Sequence, residues 1–388
     1  MSVKNSGEQH IAVFGESGSG KTVLLSSFFG ATQEPQFSRK SLFHVLPGDI
    51  GQGNRLQKNY LGMKNEAKLP PATKFAATSY AFTIKQKVEA TEKVQKGRAF
   101  ENLKIVWHDY PGEWFEQSVE GEEAQRKIDT FRQLLGSDVA MMLVDGQKLL
   151  DHQGEEERYL KNLFSNFRNG LLTIKDELLQ DGQPLVVFPR IWILALSKAD
   201  LLPDMGVYDF RDLLIQKTAE DIGELREVIS GLITGTDALS FGEDFVLFSS
   251  AKFEPNKIEV TERIGLDLIM PIAAVLPLER FARWAKSQTI PAEVLNQLLS
   301  GVTALALVLG SVDKLPAPVK AIVRKLDKYQ LQRMIKLVSA AALLAQGPLN
   351  DAAAQGRAKH DTLRATLADF RLALQTGEAK DVLIRSPR

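Results

Sequence analysis

The chain has no cysteine. Disulfides, thiolate nucleophiles and zinc–thiolate sites are therefore excluded, and a reducing compartment is compatible. It also lacks net charge: 48 Lys and Arg balance 48 Asp and Glu, which argues against a dominant nucleic-acid role. Long apolar runs are missing. The most apolar window, 294–315, is broken by Asn296, Gln297, Ser300, Thr303 and Asp313. Its uninterrupted apolar part is well under half of the roughly 20 residues needed to span a bilayer, so it reads as a buried helix. Residues 1–9 are polar and carry no apolar stretch of a secretory signal. These absences predict a cytoplasmic protein. Neither an internal repeat nor a low-complexity tract is apparent. The histidines His10, His44, His108, His152 and His360 form no metal-binding pattern, and His108 reads as a strand residue.

What is present is an ordered set of four short segments. Gly15-Glu16-Ser17-Gly18-Ser19-Gly20-Lys21-Thr22 is a phosphate-binding loop by its spacing. It follows the apolar run 10–14 and precedes the helical pattern 23–29, the strand–loop–helix setting that such a loop requires. Gly15, Gly18 and Gly20 allow the chain to wrap a phosphate, successive amides point inward, and the helix N-terminus adds positive partial charge. Lys21 would reach the β- and γ-phosphates and the Thr22 hydroxyl would hold Mg²⁺.

Asp109-Tyr110-Pro111-Gly112 stands at the end of an apolar strand, where a doubly wound sheet places its ligands. The Asp109 carboxylate would serve Mg²⁺, and the Gly112 amide a terminal phosphate. Ser197-Lys198-Ala199-Asp200 follows the apolar run 191–196. Asp200 can accept two hydrogen bonds from guanine, at N1–H and at the exocyclic amine. Adenine offers no equivalent and would leave the charge unpaired. The Lys198 stem would lie along the base. In Ser250-Ala251-Lys252, the Ala251 amide would meet the guanine oxygen. Alone, this last segment is uninformative.

The 388 residues exceed one typical core. Alternating strand and helix patterns up to the apolar run 245–248 predict a mainly parallel α/β sheet wrapped on both faces. The stretch 31–78 is long and polar, and reads as a functional loop or one holding a short helix of its own. Strands are expected to stop near Asp267. Residues 1–288 then form one domain, with 31–78 as an insertion, and 289–388 a helical C-terminal module. Within that module, 318–336 is basic and amphipathic. It reads as one helix of a bundle, with an anionic membrane as the alternative. Glu155-Glu156-Glu157 reads as a favourable helix-dipole arrangement rather than a metal site.

The four segments resemble the motifs of the translation-factor-related (TRAFAC) class of P-loop GTPases, over about residues 11–252. The resemblance implies a Ras-like fold that binds GTP and GDP with Mg²⁺. Asp109-Tyr110-Pro111-Gly112-Glu113-Trp114 is similar to a segment of the bacterial YcjX-like and "double-GTPase" proteins, which implies a bacterial origin. Two departures matter. Ser197 stands where most such GTPases have Asn, and it retains the ability to bond the phosphate loop. Glu113 stands where a glutamine orients the attacking water, and the γ-phosphate would repel it unless it is turned away, neutralised or used as a base. Hydrolysis is therefore expected to be slow or partner-activated. The resemblance also implies a switch threonine before the second strand. Thr73 and Thr78 both qualify, and Thr73 is preferred because Pro70 and Pro71 stiffen its approach. Arg39, Arg55 and Arg98 could each supply an arginine finger, and nothing singles one out. The expected function is a GTPase switch acting through a protein effector or activator, with no nucleic acid. The alternatives are a nucleotide-binding scaffold with little turnover and a membrane-associated GTPase.

Overall fold

A computed structural model of the chain describes residues 7–71, 78–87, 102–109, 121–179, 190–232, 239–254, 256–277, 279–280 and 354–386. The first strand, β1 (Gly7–Phe14), carries Ile11, Ala12, Val13 and Phe14, all buried. A strand with no polar face must be covered on both sides. After it come α1 (Lys21–Thr32), α2 (Pro35–Lys40), β2 (Phe43–Pro47), α3 (Ile50–Glu66), β3 (Thr78–Gln86) and β4 (Asn102–Asp109). The chain continues with α4 (Glu122–Leu135), β5 (Val139–Asp145), α5 (Gly146–Asp151), α6 (Glu156–Thr173), α7 (Lys175–Leu178), β6 (Arg190–Ser197), α8 (Val207–Ser230) and β7 (Leu239–Leu247). A small hairpin, β8 (Lys252–Glu254) and β9 (Lys257–Glu259), precedes α9 (Ile269–Ala274). The last described elements are α10 (Ala354–Ala379) and β10 (Leu383–Ile384).

The main sheet runs β10-β7-β6-β5-β1-β4-β3-β2. Strands β7, β6, β5, β1 and β4 are parallel, while β3, β2 and β10 join antiparallel. This is the mainly parallel, doubly wound α/β architecture expected from the sequence. Alternate residues of each central strand feed two cores. Ile11, Val13, Met141 and Leu143 pack with α1, α9 and α10. Ala12, Phe14, Met142 and Val144 pack with α4, α6 and α8 through Phe131, Phe164 and Phe210.

Several boundaries differ from expectation. The stretch 31–78, read as a loop or as holding one short helix, holds two helices, α2 and α3, with β2 between them. Helix α3 buries Gly53, Leu56, Tyr60 and Met63, a helical stripe capped by Asp49, whose Oδ1 accepts the Gln52 amide (2.7 Å). Gly30 of α1 lies so close to this helix that a Cβ there would stand 2.0 Å from Tyr60 Cγ. The expectation that strands stop near Asp267 is corrected by β10, where Leu383 pairs with Val246 and is fully buried. Two residues offer no alternation to read. The basic amphipathic segment 318–336 and the window 294–315 lie outside the described residues. Among the described residues, no helix is long and apolar enough to cross a membrane.

The chain end is fastened by charge. Asp244, on β7, is buried, and its Oδ1 accepts from Arg280 and from the Ser386 amide (2.9 Å), while Oδ2 accepts from Ser240. Burial pushes its carboxyl up, against the pull of Arg280, Ser240 and Ser386. Breaking one side of a buried pair strands the other charge. Asp244→Ala is expected to cost about 3–5 kcal/mol in urea unfolding; a loss under about 1 kcal/mol would show that Arg280 finds water instead.

Candidate functional site

The loop after β1 owes its shape to glycine at two places. Gly18 (φ +83°) and Gly20 (φ +88°) adopt left-handed backbone that side chains disfavour. Gly15 is needed for space instead, because a Cβ there would meet Leu143 Cβ at 3.0 Å. Lys21 opens α1 and is 8% exposed. Its Nζ donates to the carbonyls of Gly15 (2.7 Å) and Glu16 (2.9 Å), and lies 3.4 Å from Ser19 Oγ. The ammonium thus arches over the loop and concentrates positive charge there.

Beside it, Thr22 Oγ1 donates to Asp109 Oδ2 at 3.4 Å. Asp109 ends β4 and is 2% exposed. Burial raises its carboxyl to about 6, against the opposing effects of Lys21 and Thr22. A hydroxyl and a desolvated carboxylate make a hard, all-oxygen donor set. Mg²⁺ is held in this way by one or two carboxylates together with substrate phosphates, and it dehydrates reluctantly. Thr22 and Asp109 therefore fit Mg²⁺, and are the described residues that would hold it. Among the described residues there is no cluster of three or more His, Asp or Glu side chains able to hold a metal alone. Thr73, Gly112 and Glu113 lie outside the described residues. Thr78, the other threonine considered, starts β3 and pairs with Asp109 across the strands, fixed in the sheet rather than in a loop. His108 is engaged within the sheet, with Nδ1 2.8 Å from Ser79 Oγ and Nε2 2.9 Å from His10 Nδ1.

The segments 197–200 and 250–252 meet at the ends of β6 and β7. Lys198 takes a left-handed conformation (φ 54°) that turns the chain into the short helix 199–201, and the Ala199 amide donates to Phe248 O (3.0 Å). Ser249 Oγ donates to Asp200 Oδ1 (2.7 Å) and lies 2.8 Å from Ala251 O. One carboxylate oxygen is thereby oriented by a residue that the sequence did not single out. Ser249 stands one position before Ser250-Ala251-Lys252 and looks like any strand-end serine. The Ser197 hydroxyl donates to Val144 O (3.2 Å) on β5, where the sequence suggested a bond to the phosphate loop. Lys252 turns outward to Glu254 (3.1 Å) and Glu262 (3.8 Å).

A cleft of about 290 Å³ joins these parts, with Gly18, Ser19 and Gly20 at one end and Ser197, Lys198 and Asp200 at the other. Ser250 lines it as well, along with Gln147, Leu69 and Phe253. Those last three were not legible in the sequence, since they come from α5, the loop after α3 and β8, and carry no motif. The other charged candidates are accounted for. Glu156 accepts the Gly154 amide, Glu155 pairs with Arg158 and Glu157 with Lys161, as expected for a helix start. The Arg55 guanidinium lies over the Tyr80 ring, 5.9 Å from its centre, Arg39 ends α2, and Arg98 is outside the described residues.

No family model and no curated protein sequence matches the chain. Solved structures do share similarity with it. Nucleolar GTP-binding protein 1 from Plasmodium falciparum is 14% identical, with 74% of this chain and 92% of that one covered and a TM-score of 0.30. Era from Aquifex aeolicus bound to GDP·AlF₄⁻ is 12% identical, over 67% and 54%, at 0.28. The signal recognition particle receptor SRb-GTP/SRX complex from Chaetomium thermophilum is 16% identical, over 64% and 93%, at 0.31. Scores this low carry no argument. The fold rests on the strand order and on the loop after β1.

A carboxyl raised by folding binds its proton more tightly in the folded chain. The stability it confers is full below its ordinary value of 3.8, is lost as pH rises through about 6, and is absent above. Asp109→Asn should therefore stabilise the ligand-free protein at pH 7.5 by on the order of 1–3 kcal/mol, with little gain at pH 4. Urea unfolding at both pH values measures this. An equal effect at the two would refute a titrating, desolvated carboxyl.

Proposed function

We propose that the chain is a Mg²⁺-dependent guanine-nucleotide-binding protein that hydrolyses GTP and acts as a nucleotide-dependent switch. The observation that carries this reading is the single cleft shared by the phosphate loop, the Asp200 segment and Ser250. Its two ends differ in chemistry as a nucleotide's two ends do. At the loop, Lys21 and the amides of residues 18–22 receive phosphate charge. At the other end the Asp200 carboxylate, held by Ser249, accepts the N1–H and amine of guanine. Bound Mg²⁺ would neutralise charge on the β- and γ-phosphates. Thr73 and Gly112 close on the terminal phosphate in this reading, and the change is passed to a protein partner, with the helical residues from 289 onward as the transmitting part. The likeness of the segment 109–114 to YcjX-like proteins supports a bacterial origin.

Glu113 favours a second reading. A carboxylate in the place of the water-orienting group supports a nucleotide-binding scaffold with little or no turnover. Single-turnover GTP hydrolysis with and without cell extract separates the two, since fast intrinsic hydrolysis excludes the scaffold.

For the binding reading, fluorescence titration with GTP, GDP and ATP is the test. Lys21→Ala should abolish tight binding of every nucleotide. Asp200→Asn should lower GTP affinity by about 2–4 kcal/mol, because the charge is lost and one of the two acceptor oxygens becomes a donor facing a guanine N–H, with little change for ATP. Equal affinity of the unaltered chain for ATP and GTP would reject the guanine assignment.

A further inference from the structure

Ser197 directs its hydroxyl to Val144, so the base-reading segment gains no link to the phosphate loop from that bond. Other side chains, on β5, α5 and α6, supply one. Lys148 Nζ on α5 reaches Glu16 Oε2 in the phosphate loop at 2.7 Å. The same ammonium lies 5.7 Å from the centre of the Tyr159 ring on α6. Tyr159 is buried, and its hydroxyl oxygen accepts the Asp145 amide (2.9 Å). Burial raises the Tyr159 hydroxyl well above its ordinary range, and the nearby Glu16 charge raises it further. Asp145, also buried, accepts the Gln147 amide at Oδ1 (2.9 Å) and Lys198 Nζ at Oδ2 (2.8 Å). At that junction Gly146 is pressed against the base-reading loop, where a Cβ would stand 2.7 Å from Ser197 O. A continuous path of contacts thus runs from Glu16 through Lys148, Tyr159 and Asp145 to Lys198.

Glu16 is an anomaly in its own loop. A carboxylate among amides arranged for phosphate repels the ligand unless a cation compensates it. Lys148 is that cation, and the Tyr159 ring lies against it. We propose that Lys148 and Tyr159 are positioning residues for the nucleotide: they neutralise and anchor Glu16, and through Asp145 and Lys198 they lock the phosphate loop to the base-reading segment. This rests on the guanine-nucleotide reading, and the unaltered chain tests that reading separately by its preference for GDP over ADP.

The test compares affinities for GDP and for a non-hydrolysable GTP analogue. Lys148→Met keeps the stem on the Tyr159 ring and removes the charge. The expected loss is about tenfold for GDP and about thirtyfold for the analogue, because an uncompensated Glu16 repels the extra phosphate charge more strongly. Adding Glu16→Gln removes the repulsion, and the double variant should return to within about threefold of the unaltered chain. A lysine with only a structural role would lower both affinities equally, without rescue. Equal losses, unchanged affinities in Lys148→Met, or a double variant as weak as the single one would overturn the proposal. Tyr159→Phe removes one oxygen and no charge. It should weaken both ligands by a similar factor of about five to ten, and unchanged GDP affinity in that variant would equally overturn it. Thermal melting of each variant confirms that the folded chain is being compared.

Discussion

Parallel pairing of β4, β1, β5, β6 and β7 forces their carboxyl ends to one edge of the sheet. Everything chemical in the molecule depends on that. Asp109, Gly15, Asp145, Ser197 and Phe248 are each at or one residue past the end of a central strand. They come from positions more than two hundred residues apart, yet share one edge because the strands run the same way. The pairing survives because both faces are covered: a strand such as Val139–Asp145, buried at every position, has no register in which it could face water.

Two buried carboxylates show how differently the same cost can be met. Asp244 accepts from Arg280, Ser240 and the Ser386 amide, and the bonds join β7 to the chain end. Asp109 faces Thr22 across 3.4 Å with Lys21 nearby, and burial raises its carboxyl as it does that of Asp244. The first arrangement is finished by the protein itself. In the proposed reading the second is completed by a cation and phosphates, and sites built for ligands commonly give up stability in this way. Lys21 shows the same economy, since its bonds to the Gly15 and Glu16 carbonyls hold the ammonium over the loop.

The legible parts of the sequence were those where chemistry dictates residue type at fixed spacing. Gly18 and Gly20 need left-handed backbone, Lys21 and Thr22 must open the helix, and strands buried on both faces write continuous apolar runs. The sheet and the cleft's two ends follow from these. Helix α3 was hidden by Gly51, Gly53 and Gly62, which lower helix propensity, and burial of Leu56, Tyr60 and Met63 outweighs them. Strand β10 was hidden because an edge strand of two residues is defined by its neighbour. Ser249, Tyr159 and Lys148 carry no motif. Their roles arise from distance in space, and a serine before Ser250 or a tyrosine on an amphipathic helix has many ordinary explanations.

The central claim is that one guanine nucleotide lies along the cleft, with its phosphates on the loop and its base on Asp200. A crystal structure of the chain with GDP and Mg²⁺ tests it most directly. The account predicts the β-phosphate on the amides of residues 18–22 and the guanine N1–H and amine within hydrogen-bond distance of the Asp200 carboxylate. A nucleotide bound elsewhere, or one whose base turns away from Asp200 while its phosphates occupy the loop, would contradict it.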